Sequence, residues 1–161
     1  MNIRAATDAD DPELRAILEP TIRAGETYAL PRDMSEAEAL RWWRSPLHEV
    51  FVAEGEAGLV AGTYFLRANQ QGGGAHVANC GYVTRPSATG RGVARAMCLH
   101  SLERARARGF RAMQFNFVVA SNDRAVALWH GLGFATVGRL PGAFEHPRLG
   151  FVDALVMYRA L

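Results

Sequence analysis

Two glycines alternate with an arginine in Thr84-Arg85-Pro86-Ser87-Ala88-Thr89-Gly90-Arg91-Gly92-Val93-Ala94-Arg95, where an extended segment runs into a helical one. Small residues at such a junction leave several backbone N–H groups uncovered and aimed at one point, and the helix behind them adds the positive end of its dipole. The chemistry this serves is anion binding, with phosphate as the natural guest. Asn79 and Asn116 each sit in the middle of an otherwise apolar extended run, where asparagine is disfavoured. The stretch Gly25-Glu26-Thr27-Tyr28-Ala29-Leu30-Pro31 gathers a carboxylate, a hydroxyl and an aromatic ring in a segment too broken for regular structure. Loops of that makeup line ligand sites about as often as they are plain solvated connections.

Several chemistries are excluded by missing parts. A dinucleotide fingerprint needs a third glycine, but Gly90-Arg91-Gly92 is followed by Val93-Ala94-Arg95. A P-loop or a Schiff base needs lysine, and all 18 basic residues are arginine. Cys80 and Cys98 lack the spacing of a zinc site or of a disulfide framework, so both are expected as reduced, buried thiols and no metal is expected. The net charge of +2 comes from basic residues interleaved with acidic ones, and Arg104, Arg106 and Arg108 read as a solvated helix end rather than a nucleic-acid patch. No window reaches the roughly 18 apolar residues of a membrane span. The start, Met1-Asn2-Ile3-Arg4, leads into Asp8, Asp10 and Asp11 rather than an apolar signal core, so a cytoplasmic protein with neither membrane nor nucleic-acid partner is expected. At 161 residues, with 49% hydrophobic content and no linker-like run, the chain is expected to form a single domain over residues 1–161.

The elements that must position these residues follow from periodicity. A first strand is expected over Asn2–Ala5, then a helix from Pro12 to about Ala24, capped by Asp11, with Leu14, Ile17, Leu18 and Ile22 on one face. Ser35 to Glu38 forms a capping box that opens a second helix carrying Leu40, Trp42 and Trp43. Strands are expected over Val50–Ala53 and Leu59–Leu66 with Gly58 at their turn, and Gln70–Gly74 reads as a flexible connection. Val77–Thr84 is a strand in which Asn79 and Gly81 signal a bulge or a close approach by a ligand. A helix from about Gly90 to Ala107 has Ala94, Cys98, Leu102 and Ala105 as its apolar line. A strand follows at Met113–Val118, then a helix from Asn122 with Ala125, Leu128, Trp129 and Leu132 inward. Strands Phe134–Arg139 and Phe151–Tyr158, separated by a loop Leu140–Leu149, close an α/β sheet of mixed direction.

The pattern Thr89-Gly90-Arg91-Gly92-Val93-Ala94 after a Pro-terminated strand, followed by a helix, a strand and Asn122-x-x-Ala125-x-x-Leu128-Trp129-x-x-x-Gly133-Phe134, closely resembles the GNAT superfamily of acetyl-CoA-dependent N-acetyltransferases. The resemblance implies a mixed, mostly antiparallel sheet flanked by helices and splayed between the fourth and fifth strands. It also implies acetyl-CoA as cosubstrate, its pyrophosphate held by the backbone from Gly90 to Ala94, with Arg91 and Arg95 in the same turn. The family motif has Gln or Arg where Thr89 stands, so that side-chain contact is missing. The pantetheine arm is implied to pair along Tyr82, Val83 and Thr84, and Asn122 to fix it. Where many relatives carry a general-acid tyrosine, this chain has Trp129, whose indole N–H is far less acidic.

The segments Val77-Ala78-Asn79-Cys80-Gly81-Tyr82 and Phe115-Asn116-Phe117-Val118 further resemble the subgroup containing proline-analogue acetyltransferases, which implies that Asn79 and Asn116 hold the acceptor. A backbone N–H near Gly81 to Val83 is the expected oxyanion donor. For the base, Glu26 is the first candidate and His146 the second, while Cys80 as an acyl-enzyme nucleophile is disfavoured for want of a base beside it. The expected acceptor is the amine of a small molecule, an amino acid or analogue, whose carboxylate the Arg-rich loops would pair. A non-catalytic coenzyme A-binding module and a protein or peptide N-terminal acetyltransferase stay open as alternatives, as does a homodimer.

Overall fold

The computed structural model describes residues 1–161, Ala57 by its backbone alone. Its strands are β1 (Asn2–Ala5), β2 (Glu49–Glu54), β3 (Val60–Ala68), β4 (Val77–Thr84), β5 (Ala112–Val119), β6 (Ala135–His146) and β7 (Gly150–Ala160). The helices are α1 (Asp11–Ala24), α2 (Glu36–Trp43), α3 (Val93–Ala107) and α4 (Asp123–Gly131). The strands form one seven-stranded sheet in the order β1-β2-β3-β4-β5-β7-β6. Every neighbouring pair is antiparallel except β4 and β5, which run parallel and pair only at Val77 with Ala112 and Ala78 with Met113. Beyond Ala78 the two strands part, and the mixed sheet splayed between its fourth and fifth strands is the expected one. None of the described helices is long and apolar enough to cross a membrane.

Each face of the sheet carries its own core. On one side Leu14, Ile17, Leu18 and Ile22 of α1 and Leu40 and Trp43 of α2 pack on Val52, Phe65 and Val83. On the other, Met97, Cys98 and Leu102 of α3, Trp129 of α4 and Leu132 just past its end pack on Tyr64, Cys80, Met113 and Met157. Burying aliphatic side chains of this size contributes about 1.5–3 kcal/mol each, which gives short helices such as α2 the stability they lack alone. The capping box at α2 forms as its sequence demands: Glu38 N–H donates to Ser35 Oγ at 3.2 Å, and Ser35 N–H donates to Glu38 Oε2 at 2.8 Å.

Four expectations fail for physical reasons. Asp11 is the first residue of α1 rather than its cap, and its carboxylate is taken by Arg44, whose Nε donates to it at 2.9 Å. Helix α3 begins at Val93, not Gly90, because Gly90 and Gly92 stand at φ 82° and 77°, outside helical backbone. No bulge interrupts β4: its register with β3 runs unbroken from Thr84 opposite Gly62 to Ala78 opposite Ala68. The irregular strand is β5, whose pairing with β7 shifts between Phe115 and Val118 around Asn116. Finally, most of the expected loop Leu140–Leu149 is strand, since β6 runs to His146. Pro141 and Gly142 are tolerated because β6 is an edge strand and its register with β7 shifts there, between Leu140 and Phe144. Asp153 on β7 steadies the shift, accepting from Gly142 N–H at 2.9 Å and pairing with Arg139.

Candidate active site

The fork between β4 and β5 opens into a cleft of about 840 Å³. At one end it meets the N-terminus of α3. The first helical bond there runs from Ala96 N–H to Gly92 carbonyl at 3.0 Å, so the N–H groups from Gly92 to Arg95 have no helical acceptor. No side chain caps this end, and its first turn holds no acidic residue. A Cβ added at Gly90 or Gly92 would meet nothing within 4 Å. Glycine is required there by the positive φ, which aims the peptide groups, and the space beside them is left for a guest.

Of the residues expected to hold the donor, Tyr82, Val83, Thr84, Thr89, Gly90, Gly92, Val93, Ala94 and Arg95 line the cleft, together with Asn122 and Trp129. Arg91 does not; its side chain is exposed, and its N–H is already given to Ala88 carbonyl at 3.3 Å. Asn122 caps α4, its Oδ1 accepting from Ala125 N–H at 3.4 Å. Arg124 in the first turn of α4 also lines the cleft and was not foreseen, since an arginine beside an N-cap asparagine carries no signal of its own.

Hydrogen-bond parity along β4 sorts the backbone donors. Arg85 N–H reaches back to Ala61 carbonyl at 2.8 Å and Val77 carbonyl accepts from Asn69 N–H at 2.8 Å, so odd-numbered residues of β4 turn their peptide groups toward β3. Even-numbered residues face the fork, and the Tyr82 carbonyl, accepting from Tyr28 Oη at 3.0 Å, faces that way. Within Gly81–Val83 the N–H directed at the fork is therefore that of Tyr82. Its side chain lies beneath α3 with Oη 2.7 Å from Ser101 Oγ.

The end of the cleft opposite the cradle is aromatic. Tyr28, Trp42 and Phe65 line it, with Trp42 nearly perpendicular to Tyr28 at 6.3 Å between centroids and to Phe65 at 5.7 Å. Gly81 makes this packing possible: a Cβ there would stand 2.5 Å from Phe65 and 2.9 Å from Tyr28 Oη. The close approach expected at Gly81 is thus made by the protein's own aromatic side chains. On the opposite wall Trp129 is buried with its ring 5.1 Å from both Tyr82 and Phe115.

Asn79 and Asn116 both line the cleft, and both side-chain amides are hydrogen-bonded within the protein, Asn79 to backbone and Asn116 to other side chains. Asn79 Nδ2 donates at 2.9 Å to the Gln114 carbonyl, bridging the fork just past the last β4–β5 pair. Asn116, in the irregular part of β5, donates to Asn69 Oδ1 at 2.6 Å and accepts from Gln114 Nε2 at 2.9 Å.

Among the described residues no Asp, Glu or His lines the cleft, and its charged side chains are Arg95 and Arg124. Glu26 lies beside the lining segment Thr27–Leu30 but outside the lining, with its carboxylate 2.8 Å from the Arg148 guanidinium. His146 is buried at the β6–β7 turn, where Nδ1 accepts from Arg148 and Leu149 N–H at 3.2 Å, so it organises that turn rather than the cleft. Burial pushes the Cys80 thiol and the Tyr28 and Tyr82 hydroxyls well above their ordinary values, which removes Cys80 as a thiolate nucleophile at neutral pH. The arginines of the loops are committed elsewhere: Arg32 Nε donates to the carbonyl of Arg23 in α1 at 2.9 Å, and Arg148 pairs with Glu26.

A parallel strand pair that forks over a helix N-terminus, with an anion cradle at one end of the cleft and a polar pair in its middle, defines an acyl-CoA transferase class of site. The model of the acetyltransferase (GNAT) family matches residues 13–134, and the chain belongs to that family. A GCN5-related N-acetyltransferase from Kribbella flavida is 40% identical, with a TM-score of 0.94 over 99% of this chain and 97% of that one. A GNAT superfamily phosphinothricin acetyltransferase from Sinorhizobium meliloti, solved in complex with acetyl-CoA, is 25% identical, with a TM-score of 0.86 over 99% of this chain and 88% of that one. The N-acetyltransferase aca1 of Schizosaccharomyces pombe is 30% identical over 96 residues, 59% of this chain. That match spans 46% of aca1, somewhat less than half of the relative's length. The family is one of acetyltransferases, the Sinorhizobium meliloti relative was solved with acetyl-CoA, and the uncapped N-terminus of α3 offers the backbone donors that a diphosphate needs.

Proposed function

We propose that the acceptor is the amine of a small molecule, an amino acid or analogue, acetylated by direct attack without an acyl-enzyme. The observation that carries this is the pair Asn79 and Asn116 on either side of the fork, within one cleft that runs from the phosphate cradle to the closed aromatic corner of Tyr28, Trp42 and Phe65. Carboxamides are neutral donors and acceptors, suited to holding a carboxylate or an amine without charge pairing. They take over the carboxylate-binding role expected of the loop arginines, of which Arg148 is engaged with Glu26 and Arg32 with a backbone carbonyl.

Acetyl-CoA supplies an activated acyl group, and its thiol is a tolerable leaving group, with an ordinary thiol pKa near 8.5. In this reading the first turn of α3 binds the diphosphate, Asn122 fixes the arm, and Tyr82 N–H donates to the oxyanion that develops on the acetyl carbonyl. Asn116 orients the amine, and Asn79 holds the acceptor. With no carboxylate or imidazole in the described lining, the acceptor's ammonium loses its proton to water before attack, and the departing thiolate gains one from solvent or from the protonated nitrogen of the tetrahedral intermediate, which becomes the neutral amide.

Thiol release from acetyl-CoA, measured across small amines, amino acids and their cyclic analogues, polyamines and peptides, tests the proposal. Stimulation is expected from small monoamines and amino acids. Preferential turnover of peptides would replace the small-molecule acceptor with a polypeptide N-terminus.

A further inference from the structure

The amide of Asn116 is gripped from both ends. Gln114 donates from Nε2 to Asn116 Oδ1 at 2.9 Å, while Asn116 Nδ2 donates to Asn69 Oδ1 at 2.6 Å. Asn69 follows β3, is 9% exposed and is itself anchored by N–H to Val77 carbonyl at 2.8 Å. It lies outside the lining of the cleft. Gln114 also gives its backbone carbonyl to Asn79 Nδ2, so one residue bridges both cleft asparagines.

The two ends of a carboxamide are nearly equal in shape and opposite in polarity, so packing does not choose between its two orientations and hydrogen-bond partners must. This matters at Asn116 because β5 departs from regular pairing there, and the strand ladder does not constrain the side chain. Asn69 and Gln114 are carboxamides too, so the three amides set the polarity together: with Gln114 donating and Asn69 accepting, as here, one orientation of Asn116 satisfies both. It leaves Asn116 one amide hydrogen and part of its oxygen's accepting capacity uncommitted. We infer that Asn69, together with Gln114, is a positioning residue for acetyl transfer, setting which end of the Asn116 amide meets the acceptor; this rests on the reading of Asn116 as an acceptor-holding group.

The test is steady-state kinetics of the full chain with its best amine, with the acetyl-CoA KM and thermal unfolding measured on every variant. Asn69→Leu keeps the shape and removes the acceptor oxygen, and is expected to lower kcat/KM for the amine about tenfold, the scale of one lost hydrogen bond, with acetyl-CoA KM unchanged. Asn69→Asp keeps an accepting oxygen and is expected to stay within about threefold of wild type. At Gln114 the polarity requirement is reversed: Gln114→Glu sets a carboxylate against Asn116 Oδ1 and is expected to lose at least as much as Asn69→Leu. A carboxylate accepted at 69 and refused at 114 is a pattern that general loosening of the fork does not produce, and it can be read even if Asn69→Leu fails to fold.

In an Asn116→Ala background, Asn69→Leu should add no further loss. An Asn69→Asp defect as deep as that of Asn69→Leu, an indifferent Gln114→Glu, or additive losses with Asn116→Ala would each overturn the inference. Unchanged amine kinetics in Asn116→Ala would remove the acceptor role itself and this inference with it. A damaged Asn116→Ala beside an indifferent Asn69→Leu would sink the positioning role alone.

Discussion

At Gly92 the backbone stands at φ 77° with open space where a side chain would begin, so any substitution is strained and any acidic one faces the diphosphate site we propose. Gly92→Glu is expected to abolish acetyl-CoA binding by calorimetry, and retention of wild-type affinity would contradict the cradle assignment. Asn116→Ala is expected to lower kcat/KM for the amine while acetyl-CoA affinity holds, because Asn116 reaches the cleft from β5 and the cradle belongs to α3. Trp129 is a different matter. Its ring packs between Tyr82 and Phe115, and its role here is to build a wall rather than deliver a proton. Trp129→Phe should therefore keep turnover within about threefold while costing roughly 1 kcal/mol of stability from lost packing. A hundredfold fall in turnover at unchanged stability would assign the indole a chemical role. The cradle was legible because it depends on consecutive residues and on backbone angles that glycine announces. Of the two partners of Asn116, Gln114 is its i−2 neighbour on β5, but Asn69 lies far from it in sequence, and nothing local marks it.

The fork between β4 and β5 sets the chemistry of the cleft by what it keeps out. Among the described residues its lining holds no Asp, Glu or His, and burial raises its Cys80, Tyr28 and Tyr82 beyond neutral titration. The alkaline rise of kcat/KM should then belong to the acceptor. An amine with a lower pKa should shift the limb down by the same amount, whereas a limb that stays put across acceptors would demand an enzyme base. Glu26→Gln should leave the shape of that profile intact, since the carboxylate is paired with Arg148 outside the lining. The strands and helices around the fork were readable from periodicity, as was the splay from the family resemblance. The long β6–β7 hairpin was misread because Pro141 and Gly142 signal a turn locally. An edge position and a register shift accommodate them, and neither is visible in a local window.

Across the whole molecule, the sheet's first edge is held by a charged knot. Asp10, 6% exposed, accepts from Arg4 Nη1 and Nη2 at 2.8 Å, from Thr7 N–H at 2.7 Å and from Thr7 Oγ1 at 3.1 Å, while Arg4 Nε reaches Glu54 at 2.6 Å. The hydrogen bonds from Arg4, ahead of those from Thr7, hold the Asp10 carboxyl far below its ordinary range. A depressed folded-state pKa stabilises at pH above the unfolded value, near 3.9, and the contribution is lost as pH falls through the folded one. Asp10→Asn is accordingly expected to cost about 2 kcal/mol at pH 7, the half-exposed Arg4 being partly screened, and to lose most of that difference by pH 2 in urea titrations. Equal destabilisation at both pH values would show that the knot acts through shape and not charge.

Consecutive residues determined the half of the cleft that we assign to the acetyl donor. The Gly90–Gly92 turn, the α3 N-terminus and the Asn122 cap are each built from neighbours in the chain, so residue types and spacing specify them directly. The acceptor half was decided by the tertiary structure alone. Tyr28, Trp42, Phe65, Asn79 and Asn116 come from a loop, a helix and three strands, and meet only because β4 and β5 part after Ala78. Burial and polar partners then assign their roles: Glu26 goes to an ion pair and Gly81 to the approach of two aromatic side chains. Asn116 is held by Gln114, its i−2 neighbour on β5, and by Asn69, which no local pattern relates to it.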